Sequence, residues 1–285
     1  MPEPRSYPEG VTSWIDVEKP DLEAAQAFYS GLFGWTFQDA APAGDSTRYL
    51  VAQLDGRPVA GLTDFVVPLA ADDGATSVAP TWNTYVAVDD VDEVVRRIGA
   101  AGGRVPYGPS AAGEDGRYAV CTDSDGVPFR LWQAGTRPGA QAVNAPGTWL
   151  FSDLYARDPA ESAAFYANVF GWSFDDVGFG SMIRRPGYGD HLAATVDPDI
   201  RDRQAAINAP PGFADAIGWL MSANSGQAPR WHVTFAVHDR DAAAAAAQLV
   251  GGTVLNRGET AWSRDALLRD PEGALFTVSQ FTPPT

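Results

Sequence analysis

Two acidic residues recur in matching surroundings, Asp16 in TSWIDV and Asp153 in WLFSDL, 137 residues apart. Side chains alternate across a strand, so each carboxylate shares a face with the aromatic residue two places earlier, Trp14 or Phe151. A carboxylate on such a face, held away from bulk water, can take and return a proton. It can equally be a hydrogen-bonded structural group at a strand end. His232, which follows Trp231 in RWHVTF, is a third group able to act as acid or base near neutral pH, or to rest against a backbone carbonyl. The other histidines are His191 and His238, and His238, beside Asp239, is expected to cap a helix at the surface. The single cysteine, Cys121 in the apolar run YAVCTD, excludes an internal disulfide and is expected as a packed strand thiol, not a nucleophile.

The elements that position these groups occur twice. FYSGLFGWTF (28–37) and FYANVFGWSF (165–174) share six of ten positions at the same offset of 137. Further on, WNTYVAVDD (82–90) answers WHVTFAVHD (231–239) at an offset of 149, and GRYAVCTDSDGVPFRLWQ (116–133) answers SRDALLRDPEGALFTVSQ (263–280) at 147. The drift places an insertion of twelve residues in the second copy and a deletion of two near Asn256. Each copy reads as strand, helix and strands, twice over. TSWIDV alternates as a strand, and Asp21 precedes the helix LEAAQAFYSGLF, which Gly34 ends. Its counterpart has Asp158 as cap, Pro159 in the first turn and Glu161 closing a capping box. The helices VDEVVRRIGAAGG and DAAAAAAQLVGG open the second unit of each copy, and Asp-Gly and Glu-Gly hairpins close it. The copies span residues 1–137 and 148–285, joined by a linker at 138–147. In the longer stretch 203–227, INAPPGFADAIGWL is expected as a lid or a plain connecting loop.

Bulk properties narrow the partners. With 45% hydrophobic residues in 285, the chain is a folded globular protein. Its 20 basic and 36 acidic residues, net −16, argue against nucleic acid or an anionic membrane surface. No apolar stretch reaches the length of a membrane span and the start lacks a signal-peptide pattern, so a cytoplasmic location is expected. The expected partner is a small molecule, taken by a monomer or homodimer.

The combination D-x6-FY-x3-FGW-x-F, Val-Asp-Asp before a helix ending in AAGG, and D-P-E-G-x-x-F resembles the vicinal oxygen chelate superfamily of glyoxalases, bleomycin-resistance proteins and extradiol dioxygenases. The resemblance covers almost the whole chain, twice. It implies an α+β fold of two glyoxalase-like domains, in which tandem βαβββ modules form two curved, cup-like mixed sheets related by a pseudo-twofold axis. Metal-using relatives place His or Gln on a first strand, His on its partner strand and Glu on a last strand. Here those positions hold Trp14, Asn83 and Arg130 in the first copy, and Phe151, His232 and Thr277 in the second. One imidazole does not make the three-ligand set of an open catalytic site, and Arg130 would repel a cation. We therefore expect no cofactor and a degenerate metal site, with a weaker carboxylate site from Asp16, Asp153 or Asp64 as the remaining route to Mg²⁺ or Ca²⁺.

What replaces the ligands is flat apolar surface, Trp14, Phe151, Trp82 and Trp231, among the polar groups Asn83, Arg130 and Thr277. Such a mixture suits stacking on a bulky, partly aromatic ligand. Three functions remain open: a metal-independent isomerase, lyase or cyclase using Asp16, Asp153 or His232; an antibiotic-sequestering protein; and a metal-dependent dioxygenase or glyoxalase, which the missing ligands disfavour.

Overall fold

The computed structural model describes residues 4–41, 47–67, 81–224 and 226–283. The first copy forms β1 (Thr12–Glu18), α1 (Leu22–Phe33), β2 (Thr36–Asp39), β3 (Tyr49–Leu54) and β4 (Arg57–Thr63), then β5 (Trp82–Ala87), α2 (Val91–Ala100), β6 (Arg104–Ala111), β7 (Gly116–Thr122) and β8 (Pro128–Ala134). The second forms β9 (Trp149–Ala156), α3 (Pro159–Phe170), β10 (Ser173–Asp176), β11 (Ser181–Arg184), α4 (Tyr188–Thr195), α5 (Ile200–Ala206) and β12 (Ala216–Ser222). It ends with β13 (Arg230–Ala236), α6 (Arg240–Leu249), β14 (Thr253–Glu259), β15 (Ser263–Arg269) and β16 (Leu275–Phe281).

Each copy builds one eight-stranded mixed sheet, in the orders β2-β3-β4-β1-β5-β8-β7-β6 and β10-β11-β12-β9-β13-β16-β15-β14. Parallel pairs join β1 to β4, β5 to β8, β9 to β12 and β13 to β16, the pattern left when a helix carries the chain across within each module. The helix signals act as expected. Asp21 and Asp158 each accept two backbone N–H groups from the first turn, and Gly34 and Gly171 end their helices in the left-handed conformation. Asp239, not His238, caps α6, because its carboxylate reaches the N–H groups of Asp241 and Ala242 while His238 is exposed. The stretch expected as a lid also differs. Residues 216–222 form β12 and complete the sheet between β11 and β9, and the inserted residues become the short α4 and α5.

Contacts divide the chain into two compact units that do not follow the sequence copies. One contains residues 1–13, 84–139 and 152–231; the other contains 14–83, 140–151 and 232–285. The repeated aromatic phrase supplies the core of both. In the first unit Tyr166 stacks on Trp172 at 4.9 Å, with Phe129, Phe165 and Phe170 around them. In the second, Tyr29 stacks on Trp35 at 5.6 Å among Phe28, Phe33, Phe235 and Phe276. Cys121 lies fully buried on β7, where burial pushes its thiol up to about 12, so it packs as expected.

Beneath each tyrosine lies a buried carboxylate from the hairpin turn. Tyr166 donates to Asp123 at 3.2 Å and Tyr29 to Asp270 at 2.7 Å, while each carboxylate also accepts two backbone N–H groups of its own turn. The pairs differ in one neighbour. Lys19, fully buried, forms an ion pair with Asp270 and lies 3.6 Å from Glu272. The corresponding residue of the second copy, 137 positions on, is Ala156. Asp123 is held up to about 6, chiefly by burial.

Candidate functional site

On β1, Ile15 and Val17 enter the core, and alternation turns Trp14 and Asp16 to the opposite face. There they share one hydroxyl. The Trp14 Nε1–H donates to the Tyr49 oxygen at 2.7 Å, and the Tyr49 O–H donates to Asp16 Oδ2 at 3.2 Å. From the start of β5, the Asn83 amide donates to Asp16 Oδ1 at 2.9 Å. Asp16 is 0% exposed, whereas Tyr49 and Asn83 are partly exposed. Gly61, paired with Asp16 across β1 and β4, makes the arrangement possible. A Cβ there would fall 2.3 Å from the Tyr49 hydroxyl, so only glycine lets the phenol lie over the carboxylate.

A second group belongs to the other unit. Arg130 on β8, 4% exposed, donates from Nη1 to the Tyr85 hydroxyl at 2.9 Å and lies 5.5 Å from its ring centre. Tyr85 meets Trp132 edge-on at 6.4 Å, and Arg137 lies 5.0 Å from the Trp132 ring. A buried guanidinium held at the hydroxyl and ring of Tyr85 offers a fixed cation on β8.

The second copy places different chemistry at equivalent positions. Pairing of β12 with β9 and of β4 with β1 aligns Trp219 with Gly61, and pairing of β10 with β11 and of β2 with β3 aligns Gly180 with Tyr49. The aromatic residue and the glycine have exchanged strands. Asp153 Oδ1 accepts the backbone N–H of Trp219 at 3.1 Å. His232, 5% exposed, lies 2.8 Å from the Thr277 hydroxyl, so the imidazole and Thr277 expected at the site are brought together. Phe151, on β9 two places before Asp153, is partly buried.

Comparison with known proteins fits both copies. Residues 13–131 match the glyoxalase/bleomycin resistance protein/dioxygenase superfamily and residues 149–279 match the glyoxalase-like domain. CFP32 of Mycobacterium bovis, provisionally named a glyoxylase, is 34% identical over 99% of this chain and 99% of its own length. The chain belongs to the vicinal oxygen chelate superfamily. The anthracycline biosynthesis protein DnrV of Streptomyces peucetius is 31% identical over 95% of this chain and 94% of its own. The Mn(II)-bound glyoxalase of Novosphingobium aromaticivorans shares the fold, with a TM-score of 0.59 at 14% identity over 95% of this chain and 83% of that one.

At the superfamily's metal-ligand positions, Trp14 and Asn83 act as hydrogen-bond donors to Tyr49 and Asp16, and Arg130 is a cation. Among the described residues, no three His, Cys, Asp or Glu side chains come together as an ion-binding group. Asp64 accepts the Arg48 backbone N–H at 2.7 Å. Two expected ligand-contacting residues lie elsewhere. Trp82 packs edge-on against Tyr29 at 5.4 Å, and Trp231 against Trp172 at 6.1 Å, because each precedes an outward residue, Asn83 or His232, and alternation sends it into the core. Sequence reading also missed Tyr49, Tyr85, Trp132 and Trp219. A glycine inside the strand VAGLT was the available signal for Tyr49, since interior glycines mark close approach.

Proposed function

We propose that this superfamily member acts on a bulky, partly aromatic natural product as a metal-independent isomerase, lyase or cyclase, with Tyr49 and Asp16 as its proton-transfer pair. The observation that carries this is a phenol, partly exposed, whose O–H already donates to a fully buried carboxylate. A substrate C–H proton passes to the Tyr49 oxygen as the Tyr49 proton moves to Asp16, and the reverse transfer returns it at another atom. Isomerisation and cyclisation then balance with no oxidant or reductant, and an elimination balances when the proton leaves with the departing group. Asn83 fixes the carboxylate, and the Trp14 N–H stabilises negative charge on the phenol oxygen while the proton is in transit. Arg130 in one unit, and Phe151, His232 and Thr277 in the other, are each of the polar or apolar kind that can contact such a ligand.

The donor set supports chemistry without a divalent ion: indole, amide and guanidinium groups at the ligand positions offer no three-ligand set. The anthracycline biosynthesis relatives support an aromatic, polyketide-like substrate. The absence of any described helix long and apolar enough to cross a membrane is in keeping with action in the cytoplasm. Sequestration of an antibiotic, unchanged, is the second reading. It is favoured by the second copy, where the matching carboxylate, Asp153, holds a backbone N–H.

The test is incubation with a panel of aromatic polyketides, with products identified by mass spectrometry and NMR. Conversion that survives chelator treatment and falls at least 100-fold in Asp16→Asn and Tyr49→Phe is expected. Binding with every compound returned unchanged, or turnover restored only by an added metal, would overturn the enzymatic reading.

A further inference from the structure

We propose that the second copy carries a stacking site for a planar, hydroxyl-bearing polycyclic aromatic molecule, centred on Trp219. The inference goes beyond the acid–base reading and does not depend on it. Trp219 lies on the face of β12 turned away from the core, only partly buried. Phe179, at the turn between β10 and β11, sets its ring 5.4 Å from the indole while remaining 66% exposed. Phe213 approaches from the inserted segment at 6.3 Å. Folding gains little from a phenylalanine left so open, whereas a flat ligand placed against these rings would bury it.

Polar groups on the neighbouring strands β9 and β13 define the ligand further. Asp153 holds the Trp219 backbone N–H at 3.1 Å, which keeps its carboxylate beside the indole. Two residues on, Tyr155 shares its face of β9 and carries the Arg230 guanidinium 4.5 Å from its ring centre. A ligand with a hydroxyl to donate to Asp153 and an oxygen to accept from Arg230, which also donates to the Ala228 carbonyl at 3.2 Å, would add to the bonds these groups already make. The first copy cannot stack a ligand in this way, because Gly61 stands at the place of Trp219 and the Tyr49 hydroxyl fills the space above it. The exchange of glycine and aromatic between the copies therefore leaves a phenol bound to a carboxylate in one and an open indole in the other. The acidic chain, at net −16, further favours an uncharged ligand over an anionic one.

The experiment uses 1,8-dihydroxyanthraquinone as probe, with binding to the full chain followed by equilibrium dialysis and tryptophan quenching. Saturable one-to-one binding is expected, weakened on the order of tenfold by Trp219→Leu and by several-fold in Phe179→Ala. Anthraquinone-2,6-disulfonate, planar but anionic and without hydroxyls, is expected to bind far less. Phe179→Ala alters an exposed ring and decides the matter if Trp219→Leu fails to fold. Failure of the native chain to bind at about 100 μM probe, or native affinity in the folded variants, overturns the proposal. Turnover assays of Asp16→Asn address the acid–base reading separately, so either can fail while the other stands.

Discussion

Replacing Lys19 by methionine tests the reading of the two buried tyrosine–carboxylate pairs, because the molecule contains its own reference. Methionine keeps most of the lysine's volume and removes its charge, leaving Asp270 with Tyr29 and two backbone N–H groups. That is the situation of Asp123, beside which the second copy has no lysine, and whose carboxyl burial raises from 3.8 to about 6. Two powers of ten in proton affinity correspond to about 3 kcal/mol, near the low end of the roughly 3–5 kcal/mol for removing one partner of a buried ion pair. A carboxyl with a raised folded value binds more protons folded than unfolded between pH 3.8 and 6, so its penalty grows as pH rises through that window and is constant above it. Lys19→Met is thus expected to lower unfolding free energy by about 3 kcal/mol at pH 8 and about half as much at pH 5, read from urea midpoints by circular dichroism. Adding Asp270→Asn should restore most of the loss at pH 8. A loss below about 1 kcal/mol, or one identical at pH 5 and pH 8, would refute the argument.

The native pair makes the converse expectation: Asp123→Asn should raise the unfolding free energy at pH 8 by on the order of 1–3 kcal/mol, with the gain gone below pH 4, since it removes the charge that burial penalises. Gly61→Ala should cost about 1–3 kcal/mol of stability and abolish turnover, because its Cβ displaces the Tyr49 hydroxyl; thermal melts alongside activity would show both. Cys121, buried and with its thiol pushed up to about 12, should react with a thiol-specific disulfide reagent only on unfolding, so labelling of the native chain at pH 8 would contradict the packing.

Much of the fold was legible because local signals and the repeat agreed. Asp21 and Asp158 were readable as caps from their place before apolar helices, and both accept first-turn N–H groups. The duplicated phrase FY-x3-FGW-x-F does the same work in both copies, since the indoles of Trp35 and Trp172 pack on Tyr29 and Tyr166. The strand β12 was lost because Gly218 and a bulge between β11 and β12 break its alternation, so AIGWLMS did not read as period two. The site was half legible for a related reason. Alternation placed Trp14 with Asp16, but the expectation of Trp82 as a ligand contact beside Asn83 went against the same alternation, and which strand would deliver the hydroxyl to Asp16 depends on the register of β3 against β4, a long-range property.

The same limit explains why the copies looked more alike in sequence than they are at their sites. Asp16 and Asp153 occupy one position of one backbone, yet what each can do is set by residues one and two strands away. Tyr49 over Gly61 gives the first carboxylate a phenolic proton, while Trp219 with Gly180 across the sheet gives the second a backbone N–H and an aromatic surface. Neither half of either pair works alone: a side chain at Gly180 would run into Met221, and a glycine facing Gly61 would leave Asp16 without its phenolic donor. The chemistry of each face therefore resides in the pairing of strands, and installing Gly61→Trp with Tyr49→Gly should remove the proton-transfer pair from the first copy while leaving its sheet intact. Loss of turnover with native circular dichroism is the expected result, and retained turnover would show that Asp16 acts without Tyr49.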